Sequence, residues 1–224
     1  MASSGSYDFS LDIDEVIEEA MEMIGGEQTL GQEPKSARRS INLLLQDWQN
    51  RGILLWTADT TAVSVSTSVT AYALNASTID VTEAVLSRSD IDLQIERITM
   101  EEYLKIPRKG QTGRPSQYAV RRGKDNISVF LWPVPENSTD ILKLEQVRYL
   151  QDVDKSAGQT ADISRRFTPC LTAGLAYYMS MKRPGVQAAR MQFIKQEYED
   201  RLMRAMHEDR ERASAYFLPK LNRV

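Results

Sequence analysis

Apolar residues first recur at helical spacing from Ile13, with Ile13, Val16, Ile17, Ala20 and Ile24 on one face. Ser10 or Asp12 can cap this helix, and Gly25-Gly26 stops it. A second stripe, Ala37, Ile41, Leu44, Leu45 and Trp48, follows Pro34, a residue favoured in a first helical turn, and Gly52 ends it. At Thr57 the period changes. Val63, Val65 and Val69 alternate with Ser64, Ser66 and Ser68, which predicts a strand with one wet face. Further strands are expected around Tyr72–Leu74, Ile79–Leu86 and Leu93–Ile98. Thr99 with Glu102 three residues later opens a short helix as a capping box. Lys109 to Pro115 reads as a basic loop, Gln117–Arg122 and Ile127–Trp132 as a hairpin, and Ile141–Leu150 as the last strand.

Helical spacing then returns from Ile163 to Arg212, broken once at Arg183-Pro184-Gly185. Phe167, Leu171, Gly174/Leu175, Tyr178 and Met181 form one stripe. Val186, Ala189, Phe193, Ile194, Tyr198, Leu202, Ala205 and Met206 form the next. The other side of the last helix pairs acids with bases four residues on: Glu197/Arg201, Asp200/Arg204 and Glu208/Arg212. Helices can bury their stripes only against a partner, so the first pair is expected to pack on the second. The expectation is an α+β fold: a four-helix bundle of residues 1–56 and 160–212, an inserted antiparallel β-rich domain at 57–159, and a partner-binding tail at 213–224.

With 224 residues, 42% of them hydrophobic and 26% charged, the composition is that of an ordinary water-soluble domain. No apolar run is long enough to span a bilayer, and Met1–Ser10 lacks the regions of a signal peptide. One cysteine, Cys170, on the apolar side of a helix, reads as a small core residue. The net charge of −3 conceals segregation. Every charge from Asp8 to Glu33 is acidic, Glu15, Glu18 and Glu19 among them, whereas Lys105 to Lys124 is wholly basic, Arg121 and Arg122 included. Opposed faces of this kind can meet between copies or partners.

Chemistry is harder to find. With one histidine, His207, and one cysteine, neither a metal site nor a cofactor is expected. Gly110-Gln111-Thr112-Gly113-Arg114 lacks the spacing and ending of a phosphate-cradling loop. Glu18/Glu19 or Glu101/Glu102 are the carboxylate pairs a cell-wall hydrolase would need, although amphipathic helices place surface acids there anyway. Lys109, Arg114, Tyr118 and Arg121-Arg122 could touch a nucleic-acid backbone, which leaves a helical nucleic-acid-binding module as a further alternative.

The segment Ala37-Arg38-Arg39-Ser40-Ile41-Asn42-Leu43-Leu44-Leu45-Gln46-Asp47-Trp48, with Arg51-Gly52 and Leu55-Trp56, carries a family likeness. So do Pro115-Ser116-Gln117-Tyr118, Leu131-Trp132-Pro133-Val134-Pro135 and Gln196-Glu197-Tyr198-Glu199. In their order and spacing they resemble the head-to-tail adaptors of short-tailed bacteriophages, the tail tubular protein A type. The resemblance implies a structural virion protein at the neck, assembled in the host cytoplasm, and no enzyme. Its implied partners are the portal protein, the tail tube or nozzle, and other copies in a ring of twelve through whose lumen DNA passes. Carried onto this chain, the portal hook would be Tyr216, Phe217, Leu218 and Leu221, and the tail-facing loop would include Lys109 and Arg114. Glu15, Glu18 and Glu19 meeting Arg121 and Arg122 would be the contact between subunits.

Overall fold

The structure, a computed structural model, describes residues 9–25, 33–52, 55–89, 91–124, 126–154 and 158–209. The chain divides into two compact units, residues 1–55 with 152–224 and residues 56–151.

In the first unit α1 (Ile13–Ile24) is opened by a reciprocal capping box. Glu15 N–H donates to Asp12 Oδ1 at 2.7 Å, and Asp12 N–H donates to Glu15 Oε2 at 2.9 Å. Gly25, at φ 81°, closes the helix in the left-handed region where a Cβ is costly. On α2 (Glu33–Asn50) the stripe Ala37, Ile41, Leu44, Leu45 and Trp48 is fully buried. A 3₁₀ turn at Arg165–Phe167 leads into α4 (Thr168–Ser180), and α5 (Ala188–Glu208) follows the break at Arg183-Pro184-Gly185.

The expected four-helix bundle is not what forms. The fold is mixed α+β, with five helices among the described residues and several sheets. One helix, α3 (Met100–Lys105), belongs to the second unit. In a bundle each helix lends one stripe to a shared core. Here α4 is buried on every side, from Cys170 through Ala176 without interruption and again at Met179 and Ser180, and α1, α2 and α5 each pack on it. A helix that is apolar all round becomes a central rod. Spacing alone made Phe167, Leu171, Leu175, Tyr178 and Met181 look like a single face, yet Met181 is 50% exposed. On α5 the burial is narrower than the stripe suggested: Ile194, Tyr198, Leu202 and Ala205 face inward, and Phe193 is 67% exposed.

The second unit is built on two four-stranded sheets. The first has the order β1-β10-β3-β4, antiparallel throughout: β1 (Ala58–Ser64), β10 (Ile141–Arg148), β3 (Thr78–Arg88) and β4 (Ile91–Gln94). The other has the order β2-β8-β7-β5: β2 (Ala71–Ala73), β8 (Ile127–Trp132), β7 (Gln117–Arg122) and β5 (Glu96–Ile98), with only β5–β7 parallel. Two short strands, β6 (Thr112–Gly113) and β9 (Val134–Pro135), pair beside them. One core joins the sheets: Val81, Ala84, Leu86, Leu142 and Leu144 from the first, and Tyr72, Tyr118, Ile127, Val129 and Leu131 from the second. Burying each aliphatic side chain contributes about 1.5–3 kcal/mol.

Two strand expectations shift. The strand expected over Val63–Val69 lies earlier and ends at Ser64, because Ser66–Val69 forms a turn with Ser68 at φ 66°. The Tyr72 hydroxyl fastens that turn, accepting from Ser66 N–H at 3.0 Å and lying 3.2 Å from the Val69 carbonyl to which it can donate. The strand expected over Leu93–Ile98 divides at Ile95. Ile95 N–H bonds Ala84 in one sheet (3.1 Å) and Glu96 N–H bonds Ser116 beside the other (2.9 Å).

Candidate functional surfaces

The basic segment between Lys105 and Lys124 starts on α3, whose N-cap Thr99 and Glu102 form a capping box. Lys109 then folds back, its Nζ donating to the carbonyls of Leu104 (2.8 Å) and Ile106 (3.1 Å). A cation there satisfies carbonyls that the end of a helix leaves unpaired. The loop is further tied to its neighbours: Trp132 Nε1 donates to Arg108 O at 3.2 Å and Val134 N–H to Gln111 O at 2.8 Å. Pro107–Thr112 lines an open depression on this surface. Arg114 is half-buried, its Nε buried without a hydrogen-bond partner among the described residues.

Nearby lies a charged cluster that the sequence did not disclose. Arg88 grips Asp140 with two bonds of 2.8 Å, from Nε and from Nη2, and reaches Glu136 with Nη1 at 2.9 Å. In the orientation its neighbours favour, the Asn137 amide donates to Asp140 Oδ1 at 3.0 Å and accepts from Arg88 Nη2 at 3.0 Å. The Asp140 side chain is only 1% exposed. Its carboxyl is held below the usual range, first by the Arg88 hydrogen bonds against the opposing cost of burial, with Asn137 and the charge of Arg114 adding to the effect. Asp80 is a second clamp. Burial raises its pKa, but the hydrogen bond from Arg122 and the charges of Arg97 and Arg122 outweigh that and leave it lowered. Arg97 also donates to Val81 O at 2.6 Å. The arginines lie 16 to 52 residues from these partners, beyond the reach of any local pattern.

Of the residues assigned to a contact between subunits, Glu15 is engaged in its own capping box and Arg122 with Asp80. Glu18, Glu19 and Arg121 are exposed, and among the described residues no hydrogen bond or ion pair holds them. The structure therefore leaves two acids on α1 and one base on β7 available. The portal-hook residues Tyr216, Phe217, Leu218 and Leu221 lie outside the described residues.

The catalytic candidates are placed as follows. Glu18 and Glu19 stand on an open helix face. The Glu102 pKa is lowered, first by the Thr99 backbone N–H, which is the wrong direction for a proton donor to a sugar. Burial pushes the Cys170 thiol up to about 12, leaving it an inert core group. His207 is exposed on the last turn of α5. Among the described residues no three His, Cys, Asp or Glu side chains gather as a metal site, and no helix is long and apolar enough to cross a membrane.

No curated protein matches the chain. The model of the SU10 adaptor protein family matches residues 11–220, which takes in both structural units. That is nearly the whole of the 224 residues, and the chain belongs to the SU10 adaptor protein family, a family of phage structural adaptors and not of known enzymes.

Proposed function

We propose that this adaptor forms a ring of twelve copies at the virion neck that joins the portal vertex to the tail tube or nozzle and lets DNA pass. The observation that carries this reading is the family match over residues 11–220. A head-to-tail contact between identical subunits closes into a ring when its rotation closes. The exposed acids Glu18 and Glu19 on α1 and the exposed Arg121 on β7 supply opposite charge for that contact. On this reading the protein works by binding, without catalysis, and assembles in the host cytoplasm. Its loop at Lys109 and Arg114 faces the tail, and Tyr216, Phe217, Leu218 and Leu221 grip the portal.

Mass measurement of the chain mixed with purified portal protein tests the reading at two salt concentrations. A portal complex carrying a fixed number of copies is expected at low ionic strength. Occupancy should fall as salt screens the exposed charges over a Debye length of about 10 Å at 0.1 M. A portal that binds no copies at either salt rejects the function; full occupancy that ignores salt rejects the charged contact alone.

A further inference from the structure

The first sheet of the second unit ends in β1 and β4, whose outer edges pair with no further strand among the described residues. Neither strand contains proline or lysine, and each carries a single charge, Asp59 or Asp92. On β4 every residue is exposed, including Ile91 at 63% and Leu93 at 41%. Leu93 stands opposite Leu86, a fully buried core residue, so Ile91 and Leu93 extend the core face past the edge of the sheet.

We propose that these two edges pair with each other between neighbouring copies, β4 of one subunit adding to β1 of the next and continuing the sheet around the ring. The proposal rests on the ring reading and adds a backbone contact to the charged one made by Glu18, Glu19 and Arg121. Four strands that alternate in direction leave the outer two running oppositely. A second copy set alongside in the same orientation therefore presents β1 antiparallel to β4, the pairing that a short edge accepts most readily.

Hydrogen-bond parity then restricts the register. Ile95 N–H bonds Ala84 O, so Ile91 and Leu93 direct their backbone groups to β3, leaving those of Asp92 and Gln94 pointing outward. Val65 N–H bonds Asp140 O, so Thr61 and Val63 direct theirs to β10, leaving those of Thr60 and Ala62 pointing outward. Matching Asp92 with Ala62 and Gln94 with Thr60 satisfies both edges. That register sets Ile91 beside Val63 and Leu93 beside Thr61 on the core face. It also complements charge. Within one chain Lys143 Nζ reaches Asp92 Oδ2 at 2.9 Å across the one intervening strand β3. In the paired sheet Lys143 of the neighbour again lies one strand away, two spacings of about 4.8 Å, across the small side chain of Ala62.

Disulfide trapping on the portal complex tests the pairing. Chains carrying Ile91→Cys and chains carrying Val63→Cys, mixed with portal and oxidised, should give a cross-linked pair. The doubly substituted chain should give a ladder of multimers, because its two cysteines lie three strands apart within one chain. Asp59→Cys in place of Val63→Cys should give no link, which checks the register. Gln94→Pro removes an outward N–H without touching the bonds to β3, and should abolish ring assembly while its circular dichroism stays that of the unsubstituted chain. If that variant is unfolded, the trapping result decides. Assembly on the portal with no Ile91–Val63 link overturns the edge pairing and leaves the ring intact. Failure of the unsubstituted chain to assemble overturns both.

Discussion

Gly174 sits in the middle of α4 where side chains from two other helices converge. A Cβ there would lie 2.8 Å from Leu44 Cδ2 and 2.9 Å from Tyr198 Cε2, closer than real Cβ atoms come. Neither neighbour moves freely. Leu44 is fully buried, and the Tyr198 hydroxyl accepts a 2.9 Å hydrogen bond from Trp48 Nε1. Burial holds the Tyr198 phenol neutral, with its pKa pushed up to about 12. Gly174→Ala gains helix propensity worth about 1 kcal/mol but overpacks a filled site at a cost of about 1–3 kcal/mol. The expected outcome is net destabilisation of up to about 2 kcal/mol in urea unfolding. Equal or greater stability in the variant would show that Leu44 and Tyr198 yield.

Asp140 makes the opposite kind of demand, for a charge in place of a space. Its folded pKa is lowered, so its stabilisation is present above the unfolded carboxylate value of about 3.9 and is lost as pH falls through the folded value. Asp140→Asn leaves the Arg88 guanidinium with Glu136 as its charged partner. The cost at neutral pH should be about 3 kcal/mol, the low end for breaking a buried pair, since Arg88 is 26% exposed. Below about pH 4 the gap between the two proteins should begin to narrow, because the acid then protonates in the unfolded parent and, at lower pH still, in the folded one. Thermal melts at pH 7 and pH 3.5 read both effects, and a gap that stays constant with pH would contradict the assignment of the charge.

At the scale of elements, what the sequence showed depended on whether one local rule acted alone. At α1 the sequence offered Ser10 or Asp12 as a cap, and the structure adds Glu15 as the partner of Asp12. Thr99/Glu102 was legible as a capping box because its side chains lie three residues apart. The hairpin β7–β8 was legible for the same reason, with Gly123 to Asn126 joining two patterned runs. The α4 rod was misread because a spacing of three and four also occurs within a wholly apolar segment, and only the packing of three neighbours distinguishes the two. The division at Ile95 was missed because a strand that changes sheets keeps its alternation while its partners change. The Arg88–Asp140 cluster had no local signal at all, since its partners are brought together only when β3 pairs with β10. Of the residues assigned to a subunit contact, periodicity placed Glu18 and Glu19 on the wet side of α1. It could not foresee that Asp80 would occupy Arg122.

For the whole molecule, the described core of the helical unit runs to the last turn of α5. The inward side chains of α5 are Ile194, Tyr198, Leu202 and Ala205, and Arg166 Nη1 ties the end of that helix by bonding Glu208 O at 3.0 Å. Residues 213–224 lie outside the described residues. That stretch is apolar and aromatic, with Tyr216, Phe217, Leu218 and Leu221, the residue types that supply most of the binding energy when buried in a partner. Deleting residues 213–224 separates the two roles. The shortened chain should melt within about 2–4 °C of the full one, a shift equivalent to about 1 kcal/mol in a chain of this size. Its affinity for purified portal protein should fall by at least about 100-fold, the equivalent of one lost anchor of about 2.7 kcal/mol. Unchanged portal affinity would remove the hook from the tail and require the portal contact to lie on the outward face of α5, where Phe193 and Met203 are each 67% exposed.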